Sequence, residues 1–119
     1  MHAAIAFSAV IAFVASAVSA APAAACNPSY NVAPSTPCFL GCNVAAGQQY
    51  VPGWTMDNTS PLFLDSLKLM CTKGTPEYTG FMTAAGTCMM TCSGDDPALF
   101  FAEFSNACAW YAAHKDDTC

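Results

Sequence analysis

Arginine is absent from this chain, and its only lysines are Lys68, Lys73 and Lys115. Against eight acidic residues they leave a net charge of −5. Nucleic-acid binding needs a basic footprint that displaces counterions from phosphates, so this balance argues against nucleic acid as a partner. A membrane-lytic helix needs Lys or Arg along one face to meet anionic lipid, and that too is missing. Histidine is limited to His2 and His114. No serine elbow, metal-ligand signature or cofactor fingerprint accompanies them. The acidic doublets Asp95-Asp96 and Asp116-Asp117 are adjacent in sequence, whereas glycoside cleavage needs carboxylates converging across a cleft. They read as turn and cap residues. No residue set meets the requirements of a catalytic site, so the chain reads as a non-enzyme without cofactor or metal. Alternating apolar and polar runs are lacking as well, and with them any hairpin signal.

What the chain has instead is an apolar leader followed by cysteines. Ala3 to Val18 form an uncharged apolar run, of signal-peptide length and short for a membrane span. Val18-Ser19-Ala20 fits a small-x-small cleavage pattern, with a second candidate site after Ala25. The alternatives are an uncleaved anchor or a lipoprotein site at Cys26, which lacks the usual leucine three residues earlier. Residues 1–20 are therefore expected to be a signal peptide, and the chain a secreted, extracellular protein with no stable membrane span. Cutting there leaves the net charge unchanged, since all eight acids and all three lysines lie beyond it.

Cys26, Cys38, Cys42, Cys71, Cys88, Cys92, Cys108 and Cys119 make an even set in an exported chain. Four disulfides are the expectation, in any of 105 connectivities. Two pairs carry a sharper hint. Cys38 and Cys42 are four residues apart, as are Cys88 and Cys92, and on a helix such pairs share a face. Opposed antiparallel, Cys38 would meet Cys92 and Cys42 would meet Cys88. Otherwise each cysteine of a pair goes to a different element. A zinc site of Cys88, Cys92, His114 and Cys119 is the rival reading, and an oxidising compartment disfavours it. Cys26 and Cys119 would tie down the ends, with Cys119 the candidate for a free thiol because termini fray.

The expected fold is mainly α: a small disulfide-rich helical domain over residues 38–119, preceded by an extended proline-rich segment over 21–37. Cys38 to Ala46 can form a short helix closed by Gly47. Residues 47–58 read as a loop with a Pro52-Gly53 turn. Ser60 is a candidate N-cap with Pro61 at the first helical position, and Lys73-Gly74 stops that helix. Thr75-Pro76-Glu77 starts the next, with Gly86 as its expected C-terminal cap. Cys88 to Cys92 suggest a further turn. After the break at Ser93-Gly94-Asp95-Asp96, a last helix runs from Pro97 to His114.

Phenylalanine and methionine are abundant for so small a chain. They read first as a core. The sharper alternative is a lipid or sterol cavity between helices, for which Phe63, Met70, Phe81, Met82, Phe100 and Phe104 are the candidate lining. Asn58-Thr59-Ser60 is an N-glycosylation sequon, with Pro61 behind it disfavouring use.

Leu67-Lys68-Leu69-Met70-Cys71 resembles the helix containing Leu-Met-Cys of elicitins, the small secreted sterol-binding proteins of oomycetes. The interval from Cys71 to Cys92 is close to one in their framework. Elicitins carry six cysteines rather than eight, and the close partner that follows this cysteine in them is absent here. The resemblance spans about residues 42–119 and implies a cysteine-rich secreted effector or elicitor of a fungus or oomycete. Its partner would be an extracellular host protein. A small apolar ligand, as in a sterol or lipid carrier, and action as a small enzyme inhibitor are the alternatives.

Overall fold

The computed structural model describes residues 26–118; the expected signal peptide and Cys119 lie outside them. Among the described residues there are four helices and no strand. They are α1 (Pro37–Gly47), α2 (Phe63–Cys71), α3 (Pro76–Met89) and α4 (Pro97–His114). None is long and apolar enough to cross a membrane.

Three of the helices begin with the same device. A Thr or Asp side chain accepts the backbone N–H two or three residues on, and proline follows in the first turn. Thr36 accepts from Phe39, Thr75 from Tyr78, and Asp96 from Ala98. The acceptor satisfies an orphan donor of the first turn, and proline has no N–H to orphan. The fourth start differs from expectation. Ser60 does not cap α2, which begins at Phe63 with no side-chain cap. The Ser60 hydroxyl accepts from Leu62 N, and the Ser60 carbonyl accepts from Phe63 N, so residues 60–63 form a turn that feeds the helix. Gly86 is also not a cap. It lies inside α3, which continues to Met89. Left-handed glycines occur instead at Gly53, Gly74 and Gly94, each in a connection.

The bridges then fix which helices pair. Cys38 bonds Cys92 and Cys42 bonds Cys88, so α1 runs antiparallel to α3 under a double clamp. The four-residue spacing is what makes this geometry available, because both sulfurs of a pair emerge from one face. Cys71, the last residue of α2, bonds Cys108 in α4. Cys26 is disulfide-bonded as well. The result is a small helical domain held by disulfides.

Between the four helices lies the main core, with Trp54, Phe63, Leu67, Met70, Phe81 and Ala107 buried at its centre. A smaller cluster of Phe39, Cys42, Cys92 and Phe100 sits at the clamped end, and Phe104 packs against both. Residues 30–36 are non-helical, as expected for the proline-rich segment. They form a strap. Tyr30 packs edge-on to Phe63 and Trp110, and Trp110 Nε1 donates to the Ser29 hydroxyl at 3.2 Å. At the head of the strap Asn27 takes a left-handed conformation, which asparagine tolerates better than most residues. There Asn27 and Asn58 exchange side-chain-to-carbonyl hydrogen bonds. The sequon nitrogen, Nδ2 of Asn58, is therefore a donor within the fold.

Candidate functional site

The clamped end opens into an apolar groove of about 490 Å³. From α1 comes Phe39; from α3 come Met82, Ala85, Gly86 and Met89; from α4 come Pro97, Phe100 and Phe101. The α3 residues recur at helical spacing and so share one face. Met90 and the 92–95 turn close the end. Gly86 leaves the wall low, since a Cβ there would meet nothing. Phe39 and Phe100 form a buried floor, whereas Met90 is 85% exposed and Phe101 62% exposed at the rim. The one carboxylate in the lining, Asp95, accepts from the Thr36 hydroxyl at 2.8 Å. The groove therefore offers adaptable apolar surface, with Ser93 and Asp95 as its polar side chains.

The expected lipid-cavity residues divide. Phe63, Met70 and Phe81 are fully buried and fill the core. Phe81 packs on Trp54 and Phe63 on Trp110, with ring centroids 5.5 and 5.7 Å apart. Phe104 sits between the two clusters and packs on Phe100. Only Met82 and Phe100 reach the groove. Met90 and Phe101, its most exposed members, were legible only as halves of the doublets Met89-Met90 and Phe100-Phe101. Neighbours on a helix point about 100° apart, so a doublet at the edge of a core stripe turns one member outward.

All described cysteines are bonded, none is free, and Cys119 is outside the described residues. Cys88 and Cys92 are thus committed to Cys42 and Cys38 rather than to a zinc ion. His114 lies at the far end of α4, where its ring stacks on Trp110 and its Nδ1 is 2.9 Å from Asp117. It serves as a partner for a helix end and an aromatic ring.

A second concavity, about 730 Å³, lies under the strap. Tyr30, Val32, Leu40, Val44, Met56, Asp57 and Glu103 are among its walls. Glu103 is only 5% exposed, and the Ser35 hydroxyl donates to its Oε1 at 2.8 Å. The Tyr30 hydroxyl is buried without a partner. Burial pushes the Tyr30 phenol up to about 12, and the Glu103 charge adds to the rise. Burial also raises the Tyr111 phenol. An unfolded tyrosine titrates near about 10. Between these values the unfolded chain has released the Tyr30 proton and the folded chain has kept it. Stability therefore falls as pH rises through that window. Urea midpoints measured just below and well inside the window are expected to drop, and Tyr30→Phe is expected to drop less. Equal losses in the two proteins would contradict the assignment to Tyr30.

Comparison of the chain with protein-family models, with curated proteins and with solved structures finds no match.

Proposed function

We propose that this chain is a secreted binding protein, effector- or elicitor-like, that takes an apolar segment of an extracellular host protein into the groove between α3 and α4. It acts by binding rather than by catalysis. The observation that carries the reading is the groove itself, with two large apolar side chains, Met90 and Phe101, held out in water at its rim. Small monomeric proteins rarely leave such side chains beside a concave apolar surface unless a partner covers them. Methionine and aromatic residues are also the types enriched where partners dock. The disulfides fit an oxidising compartment.

Selection of random peptides on the immobilised oxidised protein tests this. Binders rich in spaced aromatic and aliphatic residues are expected, with dissociation constants on the order of micromolar. Phe101→Asp and Met90→Asp should each weaken them about tenfold or more, because each replaces a large apolar contact with a carboxylate that a bound apolar segment would have to desolvate. Both positions are exposed, so folding should be little affected. Failure to select binders, or binders indifferent to both substitutions, would defeat the reading.

The apolar lining also favours a second reading, a carrier of an acyl or sterol ligand in the same groove. Native mass spectrometry with palmitate or dehydroergosterol separates the two. A one-to-one adduct lost in Phe101→Asp would assign the groove to lipid, and no adduct at micromolar concentration would eliminate the carrier.

A further inference from the structure

We propose that the concavity under the strap is a second binding site, separate from the apolar groove, and that it accepts an aliphatic primary ammonium group. Glu103 is the centre of the argument. It occupies a position in the buried stripe of α4, between Phe100 and Ala107. Its carboxylate has one donor in the described structure, the neutral hydroxyl of Ser35. A buried carboxylate is ordinarily matched by a cation or by several donors, because leaving it without them is costly. This chain has no arginine. Its three lysines all line a different concavity, beside the Cys71–Cys108 bridge, and none lines this one. Among the described residues none supplies a cation to this concavity, yet Glu103 lines an opening that a ligand can enter.

Two further observations describe that ligand. Asp57 also lines the concavity, its carboxyl held low by two donors from Thr59, the hydroxyl and the backbone N–H. The lining therefore includes two carboxylates, together with Tyr30, whose buried hydroxyl has no partner. Val32, Leu40, Val44 and Met56 make much of the remaining surface apolar, beside the neutral polar side chains of Asn31, Thr55 and Asn58. A cationic head on an aliphatic stem satisfies both parts at once. The head meets Glu103 in a charge-assisted hydrogen bond, and the stem covers the aliphatic wall. Such a group is carried either by a free alkylamine or by a lysine side chain of a polypeptide.

Isothermal titration of the oxidised chain at neutral pH with hexylamine, hexanol, hexanoate and the peptide acetyl-Gly-Lys-Gly-amide tests the site. Hexylamine is expected to bind one-to-one, at least about tenfold more tightly than hexanol or hexanoate, since only it can pair with the carboxylate. Its affinity should fall as salt is raised, by much less than a fully exposed ion pair would show. Glu103→Gln should remove the preference for hexylamine over hexanol, while Phe101→Asp should leave it intact. Binding of the peptide as tightly as hexylamine identifies a lysine side chain as the natural source of the group. Binding of hexylamine alone identifies a small amine. If hexylamine binds wild-type protein no better than hexanol, the proposal is wrong, and that comparison does not depend on whether Glu103→Gln folds.

Discussion

Replacing Cys38, Cys42, Cys88 and Cys92 together with alanine is expected to leave the chain unfolded at room temperature, while removing either clamp bridge alone costs only about 3 kcal/mol. The difference follows from how the bridges nest. Cys38–Cys92 closes a loop with a sequence separation of 54, and Cys42–Cys88 one of 46. Either bridge alone restrains the long loop, worth about 4 kcal/mol in chain entropy. Once one is formed, the other closes only a small ring of roughly ten residues, a further ~3 kcal/mol. A single deletion loses the small increment. A double deletion loses both, about 7 kcal/mol, which matches or exceeds the whole stability expected of so small a domain. Cys71–Cys108 has no such substitute across its separation of 37. Removing it should therefore cost about 4 kcal/mol, more than either clamp bridge alone. Urea titration followed by far-ultraviolet circular dichroism gives the order directly. A quadruple variant that still unfolds cooperatively near the wild-type midpoint would show that packing, not the clamp, holds α1 to α3.

The clamp was also the part of the fold most legible in the sequence. A four-residue cysteine spacing restricts the possible partners before any tertiary information is available, and the antiparallel pairing is what the structure contains. The starts of α3 and α4 were legible for a similar reason, because Thr75-Pro76 and Asp96-Pro97 act through bonds within one turn. Local signals failed where a distant contact overrode them. Gly86 has the sequence character of a helix end, yet α3 continues through it and so brings Cys88 opposite Cys42. The modest helix penalty of glycine, about 1 kcal/mol, is smaller than the contribution of that bridge. Ser60 has the character of a cap, but its hydroxyl and carbonyl are both used in the preceding turn.

The candidate sites were less legible than the fold. Counting phenylalanines and methionines did not separate Phe63 and Phe81, which fill the core, from Phe101 and Met90, which leave it. That division depends on the phase of each helix about its axis, and the phase is set by the bridges. Glu103 gave no signal at all. Its one hydrogen-bond donor, Ser35, is 68 residues away in sequence.

Gly47 shows how far such a distant contact can reverse a local rule. It is the last residue of α1, a position where alanine ordinarily favours helix by about 0.5–1 kcal/mol. Here a Cβ would fall inside the indole of Trp54. The indole has nowhere to go. Its Nε1 donates to the Ser66 carbonyl at 3.0 Å, its face packs on Phe81, and it is fully buried. Nor can the end of α1 retreat freely, with Cys38 and Cys42 both tied to the segment around α3. Gly47→Ala is therefore expected to destabilise by about 3 kcal/mol, at the upper end for an added methyl. Trp54→Ala should cost about 4 kcal/mol through the cavity and the lost hydrogen bond. In the Trp54→Ala background the added methyl enters vacated space, so Gly47→Ala should become neutral or stabilising by up to about 1 kcal/mol. The double variant then lies about 3 kcal/mol above the sum of the singles, a coupling expected only of residues in direct contact. Urea midpoints of the four proteins measure that coupling. Additive effects would mean that Gly47 is required for its backbone conformation and not for the ring that rests on it.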